Sequence, residues 1–117
     1  MKEGIKMKEL FEKLSTKLVK RTEETERAIL TMLGIDPKKY IDQELLTELL
    51  IKCEQGKHFA KEAKDKMKLL LEQNEIEVEE ELLLLCKKNI EQAISLEMRE
   101  NELIKIVEKL IQQPQVH

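Results

Sequence analysis

Aromatic residues, glycine and proline are scarce in this sequence, which has no tryptophan, one tyrosine, two phenylalanines, three glycines and two prolines in 117 residues. Sheets and turns depend on those residue types, so an all-β fold is excluded. The apolar fraction of 41% and the charged fraction of 38% are instead typical of helices whose surfaces carry ion pairs. The length suits one hydrophobic core, and we predict a single domain over residues 1–117.

Long apolar runs and a strong net charge are also missing. No uninterrupted apolar stretch approaches the ~20 residues that cross a bilayer, and the N-terminus lacks the apolar core of a secretion signal. We therefore expect a cytoplasmic protein that does not contact membranes. The net charge of −3 argues against general nucleic-acid binding, which needs a concentrated basic surface. Residues 1–22 carry seven Lys or Arg against three Glu, so nucleic-acid binding by the first helix is kept as a minor alternative.

Cysteine is rare as well, since only Cys53 and Cys86 occur. The helical periodicity described below places both at core positions, where a free cysteine behaves as a small apolar residue. If the second and third segments pair in antiparallel fashion about Asn74, the two sulfurs lie beyond the reach of a disulfide. We expect no disulfide bond.

The clearest positive signal is an apolar repeat of seven residues. It is most regular in the middle segment, where apolar or small residues follow each other at alternating steps of three and four: Leu46, Leu49, Cys53, Gly56, Ala60, Ala63, Met67 and Leu70. This spacing keeps one seam of a helix facing a partner helix. The central members are small, and we interpret Gly56 as a close packing contact rather than a kink.

The first and third segments have seams of their own. The first seam comprises Met7, Phe11, Leu14, Leu18, Ala28 and Met32, and the third comprises Leu83, Cys86, Ile90, Ala93, Ile104, Val107 and Ile111. Arg21 and Thr25 interrupt the first seam. These polar residues must either reach solvent at the edge of the bundle or meet small residues opposite.

Three helices follow from the seams and the residues between them. Gly34 and the Asp36-Pro37 pair close the first helix, and a change of register near Asn74 closes the second. The predicted helices cover about residues 5–33, 42–73 and 77–113. We predict an all-α fold, an antiparallel up-down-up bundle of three helices that are each roughly 45 Å long. The alternative is a long helical hairpin, or a continuous helix over 42–113 that dimerises as a coiled coil.

The third segment has a second apolar stripe beside its seam. The stripe comprises Leu82, Leu85, Leu96, Leu103, Ile106 and Leu110. It is either buried between the two other helices or used as a contact surface. For the second case we choose Leu96, Leu103 and Leu110, spaced by whole heptads, as the partner-binding residues, and we expect them to be more exposed than the seam.

Candidate chemistry is limited to a few residues. The spacing of His58 and Lys61 resembles that of histidine phosphotransfer modules, in which a helix-surface histidine has a lysine one turn later. Glu62 departs from that pattern, because its charge opposes a phosphoryl group at a position where a small residue is expected. Glu97 and Glu100 fall on or beside the third seam. They are either a buried carboxylate pair or, as the simpler interpretation, both exposed at a bundle end or a local shift in the seam.

No metal site, cofactor site or catalytic motif is predicted. Glu54 and His58 lie one turn apart, but closed zinc sites need three or four ligands. No Ser-His-Asp order, glycine-rich phosphate loop or Cys-x-x-Cys pair occurs. We predict a non-enzymatic interaction module, namely an adaptor, a chaperone-like binder or a subunit of a helical assembly. Its partner is another protein or a second copy of this chain, and phosphotransfer through His58 is the alternative function.

Overall fold

The computed structural model describes residues 2–36, 38–72 and 80–112, with side chains from Lys6 onward. Within these ranges the chain forms three α-helices and no strand: α1 spans Lys2–Leu33, α2 spans Gln43–Glu72 and α3 spans Glu80–Gln112. The predicted all-α bundle of three long helices is confirmed. The observed bounds differ from the predicted ones by no more than three residues.

Local hydrogen bonds define both ends of the connection between α1 and α2. The amide of Gly34 donates to the carbonyl of Leu30 at 3.2 Å as α1 ends. Asp42 caps α2, because its carboxylate accepts the amide of Glu44 at 3.0 Å and its carbonyl accepts the amide of Leu46 at 3.2 Å. The predicted turn at Asn74 lies outside the described residues.

The helices run up, down and up. Side chains that join neighbouring helices pair Lys8 with Glu81, Glu26 with Arg99, Lys64 with Glu97 and Met67 with Cys86. In the contacts between α1 and α3, a higher residue number on α1 pairs with a higher number on α3, so these two helices are parallel. In the contacts between α2 and α3, a higher number on one helix pairs with a lower number on the other, so α2 is antiparallel to both. The alternative of one continuous helix over 42–113 is therefore wrong. The third helix packs closely against both others, whereas α1 and α2 approach each other at few positions.

The buried row of α3 differs from the predicted seam. It follows steps of four and three through Leu82, Cys86, Asn89, Ala93, Leu96, Glu100, Leu103, Val107 and Leu110. Asn89 and Glu100 belong to this row although they are polar. The predicted seam contains apolar or small residues only, so it leaves out Asn89 and Glu100. It includes Leu83 and Ile90 instead, which are only partly buried.

The second stripe of α3 is part of the core. Leu96, Leu103 and Leu110 are 0%, 1% and 7% exposed, below Ile104 of the predicted seam at 8%, so the expectation that they are more exposed than the seam is wrong. Because α3 touches two neighbours, its apolar face is wider than a single seam and is filled by α1 and α2. These three leucines are inaccessible to a partner while the bundle is closed.

Two buried polar residues of α3 separate three apolar clusters. The first cluster comprises Phe11, Met67, Leu82 and Cys86, the second Leu18, Ala60, Ala63, Ala93 and Leu96, and the third Ile29, Leu46, Cys53, Leu103, Ile104, Val107 and Leu110. Along α3, Asn89 lies between the first and second clusters and Glu100 between the second and third. The core is thus divided by two polar layers.

Both cysteines are buried and free, as predicted. Burial raises the pKa of the Cys86 thiol, and burial together with the nearby Glu100 carboxylate raises the pKa of Cys53 to about 11. Both thiols are therefore protonated at neutral pH and are poor nucleophiles. None of the described helices combines the length and the apolarity needed to cross a membrane.

Candidate functional site

The most unusual feature of the bundle is a buried carboxylate on α3. Glu100 has no solvent-accessible surface, and its two oxygens are held by two residues of α1. The hydroxyl of Thr25 donates to Oε1, and Nη2 of Arg21 donates to Oε2 at 3.2 Å. The expectation that Glu97 and Glu100 are both exposed is wrong for Glu100, because α1 supplies partners that a single helix does not reveal. Glu97 is partly buried against Lys64 at 3.0 Å.

Arg21 joins all three helices at this level. Besides Glu100 on α3, its Nη2 donates to the backbone carbonyl of Lys52 on α2 at 2.9 Å. Its Nη1 lies 3.8 Å from Glu24 on its own helix, and its Nε has no hydrogen-bond partner among the described residues. About a quarter of the side chain is exposed, so Arg21 covers the layer from the side of α1 and α2.

Gly56 on α2 makes room for the ion pair. A Cβ atom built at this position lies 2.7 Å from Cδ of Glu100 and 2.9 Å from Nε of Arg21, closer than carbon atoms approach such groups. The interpretation of Gly56 as a close packing contact is confirmed. Arg21 meets a small residue opposite, as one of the two sequence alternatives required, whereas Thr25 meets the carboxylate of Glu100. We call Arg21, Thr25, Gly56 and Glu100 the ionic layer.

The ionic layer has the geometry of a structural element rather than a reaction centre. Both oxygens of Glu100 already accept hydrogen bonds, and the neighbouring thiol of Cys53 is held in its neutral form. A substrate would have to displace Arg21 to reach the carboxylate. Breaking a buried pair leaves an uncompensated charge in the core, which is strongly unfavourable.

Asn89 forms a second, simpler polar layer. Its Nδ2 donates to the backbone carbonyl of Phe11 at 3.0 Å, and its Oδ1 has no partner among the described residues. One turn further on, the hydroxyl of Ser15 donates to Oε1 of Gln92 at 3.0 Å. Buried or partly buried polar contacts therefore join α1 to α3 both at the ionic layer and near Asn89.

His58 and Lys61, the candidate phosphotransfer residues, are both exposed on α2. Nε2 of His58 lies 3.0 Å from Oε1 of Glu62, the residue that departs from the phosphotransfer pattern. A shallow surface formed by Leu50, Ile51, Glu54 and Gln55 adjoins the imidazole. Among the described residues, no group of three or more His, Cys, Asp or Glu is arranged to hold a metal ion.

Four large apolar side chains are exposed close to where α1 is joined to α2. Leu30, Leu33, Tyr40 and Leu45 are 71%, 63%, 65% and 62% exposed and lie within or beside the connection of residues 34–42. We call these four residues the end patch. Helical periodicity does not reveal the end patch, because its residues come from a helix end, a connection and a helix start rather than from one stripe along a helix. Other exposed apolar residues, among them Ile94 and Met98 one turn apart on α3, lie elsewhere on the three helices.

Four lysines follow one face of α1. Lys6, Lys13, Lys17 and Lys20 are exposed, and none of them forms a salt bridge with a residue that the structure describes. Their spacing by whole or half heptads places them on one side of the helix. Nucleic-acid binding through α1 therefore stays a minor alternative.

Comparison of the chain with protein-family models, with curated proteins and with solved structures gave no match.

Proposed function

We propose that this chain is a non-enzymatic protein-interaction module that contacts its partner through the end patch. The observation that supports the proposal is the exposure of four large apolar side chains within sixteen residues of sequence, at one end of the bundle. Each square ångström of apolar surface removed from water contributes roughly 25 cal/mol, so a partner that covers these side chains gains affinity without any change in the bundle core. The partner is another protein or a second copy of this chain.

We expect a variant with Leu30→Gln, Leu33→Gln and Leu45→Gln to lose its partner while keeping its stability. A minority of interface residues cost more than about 1 kcal/mol each when truncated, so the loss of one or two such contacts among the three should weaken binding about tenfold. Self-association is measured by light scattering of the purified chain. Binding to other proteins is measured by capture from native lysate with the tagged chain as bait.

The matched control carries Leu10→Gln, Leu69→Gln and Leu84→Gln, three exposed leucines toward the opposite end of the bundle. It makes the same chemical change at the same number of exposed sites. Equal loss of binding in both variants, or none in either, would show that the end patch does not bind the partner.

Phosphotransfer through His58 is the second candidate function. The exposure of the imidazole on α2 supports it, while the carboxylate of Glu62 next to Nε2 opposes it. Incubation with acetyl phosphate should then give an adduct that is labile to acid and stable to alkali and that is absent from His58→Gln. Removing the opposing charge with Glu62→Ala should raise the yield. If wild type and His58→Gln give equal labelling, His58 is not a phosphotransfer residue.

A further inference from the structure

The ionic layer has no counterpart one heptad away on any helix. On α1, the residues seven positions from Thr25 are Leu18 and Met32, and those seven positions from Arg21 are Leu14 and Ala28. On α2, Leu49 and Ala63 flank Gly56 in the same way, and on α3 Ala93 and Val107 flank Glu100. A heptad seam of apolar residues alone tolerates sliding by seven residues, because equivalent side chains then meet. With the ionic layer present, sliding by seven residues no longer brings equivalent side chains together.

We propose that the ionic layer fixes the register of α1 along the α2–α3 hairpin. In the observed register both oxygens of Glu100 accept hydrogen bonds from α1, and the missing side chain of Gly56 leaves space for the pair. When α1 slides by one heptad in either direction, Leu18 or Met32 takes the place of Thr25. Glu100 is then buried against apolar side chains without a partner, which strongly disfavours the slipped form.

The connection between α1 and α2 does not prevent such a slip. Sliding by seven residues moves a helix by about 10 Å, and the nine residues of 34–42 span up to about 30 Å when extended. The few close approaches between α1 and α2 offer little further resistance. Selection of the register therefore falls to the contacts of α1 with α3. Among the described polar contacts between these helices, only the ionic layer and the layer of Asn89 contain a polar side chain of α3 that is fully buried. The pairs Lys8–Glu81, Ser15–Gln92 and Glu26–Arg99 are partly buried or exposed, so losing them in a slipped register costs little.

Moving the α1 half of the ionic layer by one heptad tests the proposal. The shifted variant carries Leu14→Arg, Leu18→Thr, Arg21→Leu and Thr25→Leu, so that residues 14 and 18 become the partners of Glu100. Two cysteine pairs report the register under a short bis-maleimide cross-linker, in a background with Cys53→Ala and Cys86→Ala. Ser15→Cys with Gln92→Cys reports the observed register, where these side chains touch at 3.0 Å. Lys8→Cys with Gln92→Cys reports the register slipped by seven residues.

With the native layer, we expect the pair at 15 and 92 to cross-link and the pair at 8 and 92 to remain uncoupled. In the shifted variant the pair at 8 and 92 should become dominant, with a yield at least about tenfold above that with the native layer. A folded shifted variant that still cross-links 15 to 92 would overturn the proposal.

A second variant keeps the proposal testable if the shifted one does not melt cooperatively. It replaces the layer with apolar residues through Arg21→Leu, Thr25→Val and Glu100→Leu, a change of the type that often leaves a bundle equally or more stable. Here we expect both cross-links to form, because the two registers become similar in energy at this level. Cross-linking of 15 to 92 alone would show that the register is set elsewhere.

Discussion

A variant with Leu96→Glu, Leu103→Glu and Leu110→Glu should lose cooperative thermal unfolding. The three leucines are almost completely buried between α1 and α2, so each substitution places a carboxylate in the core without a partner. An unpaired buried charge costs several kcal/mol, and three together exceed the roughly 5–15 kcal/mol that stabilise a small domain. Circular dichroism at 222 nm during heating measures the effect.

The control for this variant places the same charges on exposed positions. Leu10→Glu, Leu30→Glu and Leu84→Glu together add three carboxylates where water already reaches the side chain. Each change should alter the free energy of unfolding by no more than about 0.5 kcal/mol. If the core variant melted as cooperatively as this control, the leucines would be on the surface and the described packing of α3 would be incorrect.

Gly56→Leu should destabilise the domain by about 3 to 5 kcal/mol, measured by urea unfolding. The new side chain occupies the space of the Glu100 carboxylate and Nε of Arg21, so it overpacks the layer and separates a buried pair. Stability equal to or above that of the wild type would show that Gly56 does not face the ion pair.

A double-mutant cycle separates this contact from the general effect of glycine in a helix. Gly56→Ala adds about 1 kcal/mol of helix propensity, yet in the wild type its Cβ meets Glu100, so the substitution should be destabilising. In a Glu100→Ala background the obstruction is gone and Arg21 can turn toward solvent. There the same substitution should be neutral or stabilising, and an unchanged sign in the two backgrounds would contradict the contact.

The number of helices and their bounds were predictable because local signals agree. The seam of α2 is regular from Leu46 to Leu70, Gly34 ends α1, and a change in register separates α2 from α3. The seam of α3 was not predictable from apolar residues alone. Asn89 and Glu100 occupy core positions where groups on α1 form hydrogen bonds with them, and those bonds depend on the packed helices rather than on one sequence segment.

Each residue of the ionic layer has its own signal in the sequence. Arg21 and Thr25 interrupted one seam, Gly56 was the smallest member of another, and Glu100 was a candidate buried carboxylate. Because α1 is parallel and α2 antiparallel to α3, these four residues lie at the same level along the bundle axis. Aligning the heptads of the three helices in that topology would predict that the four residues are in contact. The end patch carries no such signal, because the exposure of a leucine depends on whether another helix reaches it.

Nuclear Overhauser spectroscopy of the isotope-labelled chain tests the ionic layer, and with it the whole packing scheme, most directly. The structure predicts cross-peaks between the γ-methyl protons of Thr25 and the side-chain methylene protons of Glu100, since the two side chains are hydrogen-bonded across α1 and α3. It also predicts cross-peaks from the α-protons of Gly56 to the same methylene group, because Gly56 of α2 faces the carboxylate. Finding both sets supports the described register of all three helices. Glu100 methylene protons that show cross-peaks only within α3 would contradict it.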